Sequence, residues 1–139
     1  MNIIDKIRNK TYKRSEPYKP NLESDWNKLE SLFNCKFDDV FKNFHEVLLT
    51  NHIEGGFLTI REIYNCDSIK TVYEQEMECG NLTEDYIPIY DVGNGDCVCM
   101  KASECPQSKI YYISHDDDQI ECLHDSFKDL ISDTDWIEI

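Results

Sequence analysis

The chain has 139 residues, 40% of them hydrophobic and 12% aromatic, which is enough for one domain with its own core and excludes a disordered chain. Its 28 acids against 14 bases leave a formal net charge of −14. Such a balance repels nucleic acid and anionic membranes, attracts basic proteins, and also serves solubility.

The charge is uneven along the chain. Residues 1–19 hold Lys6, Arg8, Lys10, Lys13, Arg14 and Lys19 against Asp5 and Glu16, a net of +4, which leaves −18 on residues 20–139. No apolar run is long enough to cross a membrane. The opening Met-Asn-Ile-Ile-Asp-Lys-Ile-Arg carries charges where a secretory signal needs its apolar centre, so a cytoplasmic protein is expected. Seven cysteines are an odd number for a disulfide scaffold. They are expected to be reduced and to pack as small buried hydrophobes.

Ile3, Ile4 and Ile7 form a short helical stripe, followed by a basic arm broken at Pro17 and Pro20. The arm is expected to be solvated or to lie over the acidic body. Residues 1–21 thus read as N-terminal helix and arm, and residues 22–139 as the acidic body of a single domain. Ser24 or Asp25 is placed to cap a helix carrying Trp26, Leu29 and Phe33, with Leu22 as the apolar residue before the cap. A second helix is expected over Phe37–Leu49, with Asp38 and Asp39 in its first turn and a stripe of Val40, Phe41, Phe44, Val47 and Leu48. His45 lies between core-facing and exposed positions and reads as structural.

Phe57–Ile60 reads as a strand. Over 61–78, Ile63, Tyr64, Ile69, Val72, Tyr73 and Met77 line a helix interrupted near Asn65–Ser68, with Gly80 at its C-cap. Ile87–Met100 then forms a hairpin: Ile87 and Ile89 share one face, Gly93-Asn-Gly95 makes the turn, and Cys97 and Cys99 lie opposite Val98 and Met100. Ile110–Ile113 is a further strand. After a His115–Asp118 turn, Ile120, Leu123, Phe127, Leu130 and Ile131 predict one closing amphipathic helix, with the apolar tail Trp136–Ile139 packed back on the body. Grouped strands between helices imply an α+β fold: a mainly antiparallel central sheet with helices packed on it.

No chemical motif emerges from this frame. Cys97-Val-Cys99 is the one close cysteine pair, and it lacks the spacing of a zinc site. Asp91-Val-Gly-Asn-Gly-Asp96 has glycines where a calcium loop needs ligands. There is no nucleophile elbow and no phosphate-binding glycine loop. No catalytic residue, cofactor or metal is therefore expected.

One set of segments has a further meaning. Asp25-Trp-Asn-Lys-Leu-Glu-Ser-Leu-Phe33 resembles the opening helix of SUKH superfamily proteins, which include the Smi/Knr-type cell-wall assembly regulators of yeast and many bacterial immunity proteins. Gly55-Gly-Phe-Leu resembles that family's turn into its first strand. Ile87-Pro-Ile-Tyr-Asp and Gly93-Asn-Gly-Asp96 resemble its central hairpin, Ile110 to His115-Asp116 its next strand and His-Asp turn, and Ser126-Phe-Lys-Asp-Leu130 its final helix. The matches run in order from about 22 to 131. One position departs: Lys36-Phe37 stands where the family opens its second helix with Leu-Pro.

The resemblance implies a protein-binding α+β domain without turnover. In bacteria such proteins are immunity proteins that neutralise a polymorphic or contact-dependent toxin, often a nuclease. The acidity agrees, because an acidic surface fits the basic cleft of a phosphate-gripping enzyme. The expected contacts with a basic toxin are acids in turns bordering the sheet: Glu84, Asp85, Asp91 and Asp96, with Asp116, Asp117 and Asp118 as a second patch. The alternative is that these acids only shape their turns. Two other functions stay open: an interaction or regulatory module of the same fold without a toxin, and a small cysteine-dependent metal protein or enzyme.

Overall fold

The computed structural model describes residues 12–13, 15–17, 19–52, 62–63, 65–80, 82, 85–91, 96–116 and 119–132. The expected helix of Ile3–Ile7, the strand at 57–60, the turn at 92–95, Glu84, Asp117, Asp118 and the tail lie outside the described residues, as do the side chains of Leu48 and Asp91.

The first helix, α1, spans Glu23–Phe33. Its cap differs from the expected one. Leu22 occupies the N-cap position, and Asp25 acts from within the first turn, its Oδ2 accepting the Leu22 N–H at 2.8 Å. This satisfies a donor that no helix can satisfy by itself. Asn34 closes the helix in the left-handed region at φ 52°, a conformation that asparagine tolerates. The Cys35 N–H then reaches back to the Glu30 carbonyl at 3.0 Å.

Helix α2, Asp39–Thr50, starts two residues later than expected. The α1–α2 junction is organised by the buried Glu30. Its carboxylate accepts the Phe37 N–H at 2.7 Å and meets Lys42 Nζ at 3.5 Å. A paired, hydrogen-bonded carboxylate is the form in which a charge tolerates burial. Trp26, Leu29 and Phe33 from α1 pack with Phe41 and Phe44 from α2. His45 is fully buried, its ring stacked on Tyr90 at 5.7 Å and 13°. A histidine there continues the aromatic packing rather than straddling the surface, as the stripe alone had placed it.

Strand β1, Tyr12–Lys13, pairs antiparallel with β2, Asn51–His52. This holds the described part of the basic arm against the end of α2. Strand β3 is Glu62–Ile63, and helix α3 is Cys66–Glu78. The interruption read near Asn65–Ser68 is the start of this helix, with the Asn65 side chain accepting the Ser68 N–H at 2.8 Å. Cys79 takes the C-cap position and Gly80 follows at φ +81°, where a side chain would be strained.

Strands β4 (Tyr86–Asp91), β5 (Cys97–Lys101), β6 (Ile110–Ile113) and β7 (Ile120–His124) complete a five-stranded sheet in the order β3-β4-β5-β6-β7. Every neighbouring pair is antiparallel. A bulge between Pro88 and Tyr90 shifts the β4–β5 register, at a residue that has no N–H to give a ladder.

Both faces of β5 are buried. Val98 and Met100 join Ile87, Ile89 and Ile110 under α1 and α2. Cys97 and Cys99 face the other way, with Leu82, Ile113 and, from α3, Tyr73 and Met77.

The closing helix is shorter than expected. Ile120–His124 is a strand, and only Phe127–Ser132 is helical (α4). The spacing of Ile120, Leu123 and Phe127 mimics a helix, but β6 offers an unpaired edge that the segment fills, with Ile120 opposite Ile113. Ser126 then opens α4, its Oγ accepting the Asp129 N–H at 3.1 Å. The architecture is thus the expected α+β one, with four helices among the described residues packed on an antiparallel sheet.

Candidate partner-binding surface

Strands β4 and β6 end, and β5 and β7 begin, at the same end of the sheet. The pairings Glu62↔Asp91, Asp91↔Cys97, Cys97↔Ile113 and Ile113↔Ile120 run across it. Three of the expected acids are gathered here: Asp91 at the last position of β4, Asp96 just before β5, and Asp116 in the turn after β6. Asp85 lies at the opposite end. Its carboxylate accepts from the Ser103 N–H at 3.1 Å and the Ser103 hydroxyl at 2.8 Å, and so caps the 3-10 turn Ala102–Glu104.

Asp96 is the centre of the arrangement, and it points inward. It is only 7% exposed. The Tyr112 hydroxyl donates to its Oδ2, and the His115 N–H donates to Oδ1 at 3.0 Å. The His115 Nδ1 lies 2.6 Å from the same Oδ1. Burial pushes the Asp96 carboxyl up, but the bonds from Tyr112, the His115 amide and the His115 ring outweigh it, and the group is held down to about 2.

The other ring nitrogen of His115, Nε2, reaches Asp116 Oδ1 at 2.9 Å. The bond to Asp96 pushes the histidine up, burial opposes this, and the charges of Asp116, Asp96 and Glu76 add to the rise. Asp116 itself is 82% exposed at its side chain. One imidazole therefore joins an inward carboxylate that fixes the turn to an outward one that faces solvent.

Sequence reasoning missed Tyr112 and His115 as partners of Asp96. Alternation places Asp96, Val98 and Met100 on one face of β5, and Tyr112 lies directly across from Val98. That cross-strand register was the signal, and it only becomes available once β5 and β6 are paired. Register also adds Glu121, exposed on β7 opposite Tyr112.

The ordered elements bear on ancestry. The SMI1 / KNR4 family (SUKH-1) matches residues 20–133. The chain belongs to this SUKH family. The match begins just before α1 and ends just after α4, so it takes in all four helices and the whole five-stranded sheet. No curated protein matches the chain. The Lys36-Phe37 departure is accommodated in this member by Glu30, which takes the Phe37 amide into its carboxylate. No helix among the described residues is long and apolar enough to cross a membrane.

Proposed function

We propose that this SUKH protein is an immunity protein that neutralises a cognate basic toxin by direct binding, without catalysis of its own. The observation that carries the reading is the family match over residues 20–133. The net charge of −14 supports it, because an acidic surface speeds encounter with a basic partner and complements a cleft built to grip phosphate. A nuclease is the toxin class that such a surface fits best.

The proposed contact surface is the end of the sheet where Asp91, Asp116 and Glu121 gather, with Asp96 and His115 holding its shape. Neutralisation is then steric and electrostatic occlusion. The test is capture of partners from the native host with the full chain as bait, followed by co-expression of the retained protein with and without it. A retained toxin whose lethality the chain suppresses supports the reading. A retained toxin that stays lethal at equal expression overturns it.

A further inference from the structure

Outside the acidic end of the sheet, the sequence reading leaves the cysteines as packing residues. The structure divides them. All seven are free. Cys66, Cys97 and Cys99 are buried and meet the expectation; Cys79 and Cys122 are exposed; Cys35 and Cys105 are intermediate. The last two come from distant parts of the chain and line one open groove of about 560 Å³, together with Glu30, Asn34, Lys36 and Pro106. Both also rest against the main core.

Both thiols line this one groove, and each is held by a fixed turn. Cys35 follows the left-handed Asn34, its N–H bonded to the Glu30 carbonyl at 3.0 Å. Cys105 follows the 3-10 turn, its N–H bonded to the Ala102 carbonyl at 3.2 Å and its Sγ to the Lys101 carbonyl at 3.5 Å. A disulfide needs its sulfurs at about 2.0 Å, and these turns bring both thiols to the same groove. Burial on one side and an open groove on the other give an oxidant access while keeping the pair aligned.

We propose that Cys35 and Cys105 form a thiol–disulfide modification site, with Cys35 as the thiol oxidised by a peroxide and Cys105 as the thiol that resolves it. The environment of the pair supports these roles: the neighbouring Cys105 side chain holds Cys35 below the ordinary thiol range, and Cys35 together with burial holds Cys105 above it. A thiolate is the nucleophile in such chemistry.

The Cys35 thiolate attacks one oxygen of hydrogen peroxide. The O–O bond breaks, a sulfenic acid forms, and the released hydroxide becomes water on protonation. The Cys105 sulfur then attacks the Cys35 sulfur, surrendering its proton as the S–O bond breaks and a second water leaves. The two thiols lose two electrons and two protons, and the peroxide takes up both. The product staples the α1–α2 junction to the loop between β5 and β6, and a thiol reductant reverses it. This site stands apart from the acidic surface, so its test needs no toxin.

The full chain, reduced and freed of reductant, is treated with one equivalent of hydrogen peroxide and analysed by intact mass and peptide mapping. The expected result is a loss of about 2 Da and a Cys35–Cys105 cross-linked peptide, both reversed by dithiothreitol. In Cys105→Ser the Cys35 sulfenic acid persists and is trapped by dimedone. In Cys35→Ser peroxide consumption falls about tenfold. Faster oxidation of exposed Cys79 or Cys122 than of Cys35, or no 35–105 peptide from the wild-type chain, overturns the assignment. The wild-type map decides this even if a variant does not fold.

Discussion

His115 places its Nδ1 2.6 Å from the carboxylate of Asp96, nineteen positions earlier in the chain, and its backbone N–H bonds the same oxygen at 3.0 Å. One carboxylate thus grips both the main chain and the ring of the β6–β7 turn, while Tyr112 holds its second oxygen. Asp96 is therefore first a frame residue of the surface we assign to binding. Asp96→Asn keeps the shape and removes the charge that these donors face. It is expected to cost about 2 kcal/mol, within the range for hydrogen bonds to charged groups. Urea unfolding measures it, and a double-mutant cycle with Tyr112→Phe should yield non-additive losses.

The pair also sets a pH window. Asp96 is depressed to about 2 from 3.8, so its contribution is present above about pH 4 and is lost as pH falls toward 2. His115 is raised above 6.5, so its contribution is complete below about pH 6.5 and is lost as pH climbs through the raised value. The midpoint of urea unfolding should therefore peak between these limits and fall on both sides. His115→Gln should flatten the alkaline limb. An unchanged alkaline limb in that variant would rule out this role.

Charge reversal separates binding from frame. Asp116→Lys with Glu121→Lys alters exposed acids, and its cost in stability is confined to the lost Asp116 contact with the His115 ring. The same pair should slow association with a basic partner severalfold, and more at low salt, as screening requires. Stopped-flow association at two ionic strengths reads this directly. Association rates equal to those of the wild type at low salt would move the contact surface elsewhere.

The aromatic centre predicts a large loss. Phe44 is fully buried, with edge contacts to Tyr90 and Phe127. Phe44→Ala should destabilise by about 3–5 kcal/mol, enough to unfold a marginal domain. Circular dichroism melting tests it. Trp26→Phe should cost less. It keeps most of the ring packing and loses the indole N–H bond to Glu46 Oε1 at 3.3 Å.

The fold was legible where apolar spacing and turn residues agreed. Trp26, Leu29 and Phe33 give α1, and Ile110–Ile113 gives β6. It was least legible where one spacing serves two structures. Ile120, Leu123 and Phe127 satisfy a helical period, yet the edge of β6 claims the first five residues of that run. The site was half legible. The strand ends that carry Asp91, Asp96 and Asp116 were expected to border the sheet, and register sets these three positions at one end of it. The direction in which Asp96 points was not legible, because it depends on Tyr112 and His115 arriving from another strand. Likewise the division of the cysteines depends on which turns lie beside one another, and no spacing in the chain encodes that.

Asn21 has a consequence for where this domain starts. It stands before α1, yet its side chain donates to Glu46 on α2 at 3.2 Å and accepts the first amide of α3, at Cys66, at 3.0 Å. Two helices far apart in sequence are thus clasped by a residue that belongs to neither. A chain trimmed to begin at Glu23 would keep every described helix and every strand of the large sheet, and would lose that clasp. The contacts that hold α2 to α3 therefore begin two residues before α1.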